Sequence, residues 1–415
     1  MTASQATVLV TGLGATTPLG GDVDSTWAAL LAGESGVGSL DDDWATELPV
    51  RIAARLRVEP SQVLDRVAVR RLDRAQQVAL IAAREAWAHA GRPEVDPDRL
   101  AVVIGTGNAG LMTALGQDQT LRASGIRQVS PHTIPMMMPN GPAACVSIEL
   151  GAQGGAHTPV SACASGAEAI SMGLDLIRLG RADVVIAGGT DACVHPLPIA
   201  GFAQAKAHST RNQAPQEASR PFDTQRDGFV FGEGAALVVL ERADFATARG
   251  ARAHAVLAGA GVNSDAYHIT AGNSDGQIRA IRLALASAGL TPTQIDLVHA
   301  HATSTELGDL TEAQSITEAI GTHPVVTASK SMTGHLFGAA GALGAMVAIL
   351  ALRDAVVPAT LNLTELDPRV KLDVVAGAAR RGEYGAALSN AFGFGGHNVS
   401  LVFTRSGPRR SAHSV

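Results

Sequence analysis

Aromatic residues are scarce in this sequence: two tyrosines, three tryptophans and nine phenylalanines make up 3% of 415 residues. Charge is sparse as well, at 17% of residues, with 32 basic side chains against 38 acidic ones and a net charge of −6. A polynucleotide is gripped by basic runs interleaved with stacking aromatics, and with neither present nucleic acid is not an expected partner. The three cysteines, Cys145, Cys163 and Cys193, are too few and too widely spaced for a disulfide framework or a four-ligand metal site. No metal is therefore expected, and a reducing, cytoplasmic compartment is. The N-terminus, Met1-Thr2-Ala3-Ser4-Gln5, has no basic residue, and the apolar stretch after it is interrupted by Gly12, Gly14 and Pro18, so no signal peptide is expected. The longest apolar run, 337–352, closes on Arg353-Asp354 and is too short and too rich in Gly and Ala for a membrane span. It reads as a buried helix.

What is abundant is apolar and small. Hydrophobic residues reach 46% and glycines number 45, enough for a large core in a chain far too long for a single small module. Short β-branched runs recur before glycines: Thr7 to Val10 before Gly12-Leu13-Gly14, Ala101 to Ile104 before Gly105, and Asp183 to Ile186 before Gly188-Gly189. Each reads as a buried strand entering a turn. Between them, 74–90 and 167–179 place apolar residues at three- and four-residue intervals and predict helices. The alternation predicts an α/β fold with mixed, mostly parallel sheets and helices in layers.

A second series starts near residue 252, where Ala255 to Val262 echoes Val8 to Ala15. Helices are predicted at 276–288, 311–320 and 338–352, strands at 296–300 and 325–328, and a hairpin at the end. Two similar halves, 1–252 and 253–405, would follow from duplication, with 406–415 as a disordered tail. The polar arm 205–226, carrying Pro215 and Pro221, reads as a surface excursion.

Three motifs bear on chemistry. Gly12-Leu13-Gly14-Ala15-Thr16-Thr17 invites a dinucleotide fingerprint, but Thr17 stands where the third glycine belongs and Pro18 follows, so a structural turn is the preferred reading. In Val160-Ser161-Ala162-Cys163-Ala164-Ser165-Gly166 the cysteine falls at the start of a predicted helix, where backbone N–H groups and the helix dipole favour a thiolate and small neighbours let a substrate approach. On these residues alone a nucleophile and a buried inert thiol both stand. His301 and His335 lie on small-residue turns after predicted strands, and a doubly wound fold gathers such turns in one crevice, which moves the balance toward catalysis by Cys163 with both histidines.

Taken together, the Cys163 segment, Ser209-Thr210-Arg211-Asn212, Ser219-Arg220-Pro221-Phe222-Asp223 leading to Arg226-Asp227-Gly228-Phe229, His301-Ala302-Thr303-Ser304-Thr305 with Gly308-Asp309, Lys330 with Gly334-His335, and Asn390 to Gly396 resemble the β-ketoacyl-ACP synthases of type II and their type II polyketide relatives. The resemblance implies a duplicated thiolase fold, usually dimeric. It implies acyl transfer to Cys163, decarboxylation of a malonyl group on a second carrier protein, and an enolate held by His301 and His335. It makes Lys330, Asp309 and Glu312 a supporting charged group, and Thr303 and Thr305 the hydroxyls that hold phosphopantetheine. Phe394 becomes a gate whose N–H joins that of Cys163 in an oxyanion hole. Asn108 and Phe202 fall at the acyl pocket, and Arg70, Arg71, Arg74, Lys206 and Arg211 are candidates for docking an acidic acyl carrier protein. No cofactor is implied beyond the phosphopantetheine that arrives on the carrier. The partner subunit is a second copy or a chain-length factor.

Asn108, His299 and Gly344 depart from the family pattern, which has an apolar residue, Asn and Glu at these places. The departures lean toward a specialised polyketide or unusual-chain synthase, so fatty-acid and type II polyketide synthesis both stand as the setting. A thiolase needs a second cysteine late in the chain and a type III synthase has Asn in place of His335, so neither fits. A non-catalytic chain-length subunit is the rival from another class, and the retained Cys163 argues against it.

Overall fold

The computed structural model describes residues 6–407. Most of the expected tail, 408–415, lies outside these residues. The main feature is one 11-stranded sheet. Its strands are β1 (Val8–Thr16), β2 (Leu100–Gly105), β3 (Ala156–His157), β4 (Val184–Asp191), β5 (Gly234–Arg242), β6 (Ala255–Ser264), β7 (Leu297–His299), β8 (Val325–Thr327), β9 (Asp373–Val374), β10 (Ala386–Gly393) and β11 (His397–Thr404). In space they run β9-β8-β7-β10-β11-β6-β1-β5-β4-β2-β3. Read outward from the centre, β1-β5-β4-β2-β3 and β6-β11-β10-β7-β8 have the same internal order. The two series meet where β1 pairs antiparallel with β6 through Val8–Leu257, Leu9–Val256 and Val10–Ala255.

Five helices position the site: α1 (Arg74–His89), α2 (Ser165–Arg178), α3 (Ser274–Ala288), α4 (Glu306–Ala319) and α5 (Ala340–Asp354). Helix α1 covers β1 and β5 on one outer face, and α3 covers β6 and β11 on the other with α4 beside it. Helices α2 and α5 pack on each other between the two halves. Every residue of α5 from Ala340 to Leu352 is buried. Its apolarity is that of a core helix: of the run Phe337–Asp354, 89% is buried in the fold.

Parallel pairing is confined to the outer strands, β2 with β3 and β4, β7 with β8 and β10, and β8 with β9, while the centre is antiparallel. The glycines expected as turns prove to lie inside strands. β1 continues through Gly12-Leu13-Gly14 to Thr16, with a bulge between Val10 and Gly12. A Cβ on Gly12 would sit 2.3 Å from the Ala86 carbonyl oxygen and one on Gly14 2.0 Å from that of Ala82, so these glycines let α1 lie against the strand. The same device recurs in β6, where a Cβ on Gly261 would meet the Ala280 oxygen of α3 at 2.1 Å. The sequence echo between 8–15 and 255–262 is thus an echo of helix–strand contact.

The arm 205–226 also differs from expectation. Ser219, Arg220, Phe222, Asp223 and Arg226 are buried. The Ser219 hydroxyl donates to the Lys330 carbonyl at 2.7 Å, the Phe222 N–H donates to Asp309 at 2.9 Å, and Arg226 pairs with Asp367 at 2.9 Å. These buried polar residues find partners inside the second half, while Thr210, Gln213, Gln216 and Glu217 stay exposed as expected.

Candidate active site

Cys163 lies in a single tight turn, Ala162–Ala164, that runs directly into α2. The residue before it, Ala162, has φ +52°, a left-handed conformation that costs a residue with a Cβ on the order of 1–3 kcal/mol. Ser304, between Thr303 and Thr305, and Phe337, two residues after His335, share this sign of φ at +70° and +46°. The chain is bent against its preference beside Cys163, the Thr303 and Thr305 hydroxyls and His335. Strain of this kind persists where surrounding packing over-determines it.

His335 Nε2 lies 2.9 Å from Cys163 Sγ. Its Nδ1 accepts the Phe337 N–H at 3.3 Å, which leaves the ring proton on Nε2, pointing at the sulfur. The ring stacks on Phe337 with centroids 4.8 Å apart, and the His301 ring stands nearly perpendicular to it at 5.6 Å. Burial and the Lys330 ammonium push both histidines well below the usual imidazole value, so both are neutral donors at pH 7.

The His301 loop is held from beneath. Glu312 on α4 accepts the N–H of His301 at 2.8 Å and of Ala302 at 2.6 Å, together with the Asn390 amide at 3.1 Å. Lys330 Nζ donates to the His301 carbonyl at 2.5 Å. Asp309 accepts the Ser304 N–H at 3.0 Å, and the Thr303 and Thr305 hydroxyls lie 3.1 Å apart, half-buried at the mouth. Burial pushes Lys330 down to about 8, against the raising effect of Glu312.

At the sulfur, burial dominates. It pushes the Cys163 thiol up to about 12, and the opposing pull of Lys330 and of the Phe394 and Cys163 N–H groups is smaller. The helix start favours a thiolate, as the sequence predicts, but the resting site holds a thiol. Those two N–H groups converge on the Cys163 sulfur from the β10–β11 turn and from the cysteine itself, an arrangement that can serve as an oxyanion hole. Phe394, 42% exposed, sits in that turn with Gly395 and Gly396 at φ +91° and +74°. Cys193 is fully buried, and Cys145 is pushed up to about 12 by burial.

Asn108, Leu111, Leu197, Pro198, Gly201, Phe202 and Ala205 line a cavity of about 310 Å³. Asp191, which the sequence reading passed over, anchors it: its carboxylate accepts the N–H groups of Gly107 at 2.9 Å, Asn108 at 3.0 Å and Gly338 at 2.6 Å. The only local signal was an acidic residue at the carboxyl end of a buried strand. Of the docking candidates, Arg70, Arg71 and Lys206 are exposed. Arg211 donates to the Gln225 carbonyl at 2.8 Å. Arg74 does not fit the expected role: its guanidinium is committed to Glu233 at 2.6 Å and Glu59 at 2.7 Å, so its charge is neutralised within the chain.

Two of the odd residues are one feature. A Cβ on Gly344 would lie 2.7 Å from His299 Nδ1, and the buried His299 ring is fixed by Ser329 Oγ at 2.8 Å. His299 occupies the space a side chain at 344 would need. Gly344→Glu is expected to destabilise the fold by about 3 kcal/mol or more through overpacking and a buried charge. His299→Asn in the same chain should recover at least half of that loss. Thermal unfolding of the two single variants and the double variant checks this; additive losses would refute the interlock.

The chain matches the family model for the β-ketoacyl synthase N-terminal domain over residues 5–246 and that for the C-terminal domain over 254–364. It is 48% identical to 3-oxoacyl-[acyl-carrier-protein] synthase 2 of Mycobacterium tuberculosis over 96% of this chain and 97% of that protein. The synthase 2 of Synechocystis is 41% identical over 96% and 98%. A β-ketoacyl synthase structure from Burkholderia phymatum superposes with TM-score 0.90 at 36% identity, covering 97% of this chain and all of that one. The ishigamide ketosynthase/chain length factor superposes with TM-score 0.89 at 33% identity over the same shares. The duplicated α/β architecture is thus the thiolase-like one, and the chain belongs to the β-ketoacyl synthase family of condensing acyltransferases.

Proposed function

We propose that this enzyme extends acyl chains carried on an acyl carrier protein, with Cys163 as nucleophile. The observation that carries the reading is the 2.9 Å contact between His335 Nε2 and Cys163 Sγ, with the N–H groups of Cys163 and Phe394 directed at the same sulfur. The sulfur attacks the acyl thioester, the S–C bond forms, and the carrier thiol departs with the proton that Cys163 gave up. A malonyl thioester then enters. Its carboxylate leaves as carbon dioxide, and the electron pair passes to the thioester oxygen as an enolate that accepts hydrogen bonds from His301 and His335. The enolate carbon attacks the Cys163 thioester, whose oxyanion lies between the two N–H groups. The new C–C bond expels the Cys163 thiolate, which takes up a proton. The pantetheine arm lies along Thr303 and Thr305, and the protein itself needs no metal or cofactor for any step.

The structural relatives bear on partners. One solved relative is AntDE:AntF, described as a type II polyketide acyl-carrier protein in complex with its ketosynthase; it superposes with TM-score 0.89 at 29% identity. By that likeness an acyl carrier protein is the partner here, meeting Arg70, Arg71 and Lys206. A second ketosynthase-fold subunit would cover the short edge strand β3 and the exposed Ile134, Met137, Met138, Ile148 and Val160 near it. The chain-length-subunit reading has no use for the complete Cys163, His301 and His335 set. Incubating the purified chain with acyl-carrier and malonyl-carrier proteins should give a β-ketoacyl-carrier product two carbons longer by mass spectrometry. No product, alone or with a second subunit, would overturn the reading.

A further inference from the structure

The reaction steps give Asp191 nothing to do, although its carboxylate is fully buried within the site. Four donors converge on it. Oδ1 accepts the Thr106 hydroxyl at 2.9 Å and the Asn108 N–H at 3.0 Å, and Oδ2 accepts the N–H groups of Gly107 at 2.9 Å and Gly338 at 2.6 Å. Burial pushes the acid up to about 6 against the pull of these donors, so at pH 7 it is a carboxylate and both oxygens accept. A buried charge is costly even when so bonded, and this one also works against a thiolate at Cys163 by raising the thiol further. Its use therefore lies in what it holds, not in activating the sulfur.

What it holds spans the two halves. Thr106, Gly107 and Asn108 follow β2 and lead into the acyl cavity, whereas Gly338 belongs to the turn between His335 and α5. No side chain fits at Gly338, where a Cβ would lie 2.6 Å from the Gly107 nitrogen and 2.8 Å from Asp191 Oδ2. In that turn two consecutive N–H groups have different acceptors: Phe337 donates to His335 Nδ1 at 3.3 Å, and Gly338 donates to Asp191. Phe337, whose torsions relate the two N–H groups, has φ +46°, a conformation that needs outside support. The Gly338 bond, made to a charge, is the stronger of the two. With the Gly338 N–H fixed, the Phe337 N–H is aimed at Nδ1, the ring proton stays on Nε2, and Nε2 lies 2.9 Å from Cys163 Sγ.

We propose that Asp191 is the positioning residue of His335: through the Gly338 N–H it fixes the turn that selects the tautomer of the ring and aims its Nε2 proton into the reaction space. The inference rests on the condensing reading above and adds a residue to it. Asp191 acts through the Phe337 and Gly338 peptides, not on the substrate. The His301 loop, in contrast, is held by Glu312 and Lys330 of its own half. The two donors of the enolate site thus have separate supports.

The test is a double-mutant cycle read on decarboxylation of malonyl-pantetheine, with thermal unfolding to establish that each variant folds. Asp191→Ala is expected to slow decarboxylation about ten- to a hundredfold. In a His335→Ala background the same change should cost less than about twofold, because the ring it positions is gone, whereas in a His301→Ala background it should cost its full factor. General loss of order would slow both backgrounds alike. Nitrogen NMR shifts of isotope-labelled histidines, with His335→Ala as the assignment control, should show His335 protonated at Nε2 in the wild type and a mixture of tautomers in Asp191→Ala. If Asp191→Ala does not fold, Asp191→Asn, which can still turn one oxygen to Gly338, takes its place in the cycle with an expected loss of about three- to tenfold. An unchanged rate in the Asp191 variant, equal factors in the two backgrounds, or a wild-type His335 proton on Nδ1 would overturn the inference and leave the condensing reading standing. A wild-type enzyme that decarboxylates no malonyl thioester would overturn both.

Discussion

Cys163→Ala is expected to abolish both acylation and condensation, a loss of at least about 10⁴-fold, because no other group near the site can form the covalent thioester. The other two cysteines serve as internal controls. Cys193 is fully buried, and the Cys145 sulfur sits 3.2 Å from the Pro142 carbonyl, with burial holding it as a thiol. Cys145→Ala and Cys193→Ala should therefore leave turnover within a small factor of wild type. The measurement is intact mass after exposure to acyl-carrier protein, with steady-state condensation alongside. An acyl adduct that persists in Cys163→Ala would refute the assignment.

His301→Ala should divide the half-reactions. Enolate charge appears only when the malonyl group loses carbon dioxide, so decarboxylation should fall about a hundred- to a thousandfold, the usual consequence of removing one oxyanion donor, while transfer of the acyl group to Cys163 falls far less. His335→Ala should show the same loss in decarboxylation and a smaller one in transfer as well, since its Nε2 contacts the sulfur at 2.9 Å. Equal loss in both half-reactions for His301→Ala would indicate general damage instead. The pH profile adds a second reading. Burial and the Lys330 ammonium hold both rings well below the usual imidazole value, so no acid limb near that value should arise from them. Lys330 is shifted from 10.5 down to about 8, so its ammonium, which fixes the His301 carbonyl, is lost as pH rises through 8. Between these values the unfolded chain binds the proton that the folded one has released, so this group adds stability as pH rises. Decarboxylation should fall above pH 8 with no Lys330-linked fall in melting temperature.

The sequence made the site easier to read than its scaffold. Cys163, His301 and His335 could be brought together on paper because each sits on a small-residue loop after a strand, and strands of one sheet deliver such loops to one side. Local composition misled where a residue type serves two purposes. Glycine marks turns but also close contact, and only the position of α1 shows that Gly12 and Gly14 are the second kind. Polarity marks exposure but also internal pairing, which placed the 205–226 arm on the surface and Arg74 on a docking rim. His299 and Gly344 were each visible as oddities 45 positions apart; that one fills the space of the other is a fact of three dimensions.

The antiparallel seam between β1 and β6 has a mechanical consequence. It joins the two halves into one continuous sheet, with α2 and α5 clamped between them, so the halves cannot swing apart as lobes about a flexible connector. The Cys163 loop comes from one half and both histidine loops from the other, yet their spacing is as rigid as a sheet. Entry of a substrate and escape of a product are then left to small segments, and the turn that carries Phe394 between β10 and β11 is the one expected to move. The slow conformational events of the catalytic cycle should accordingly be those of a few residues, and freezing that one turn should arrest traffic through the enzyme without disturbing the alignment of its reacting groups.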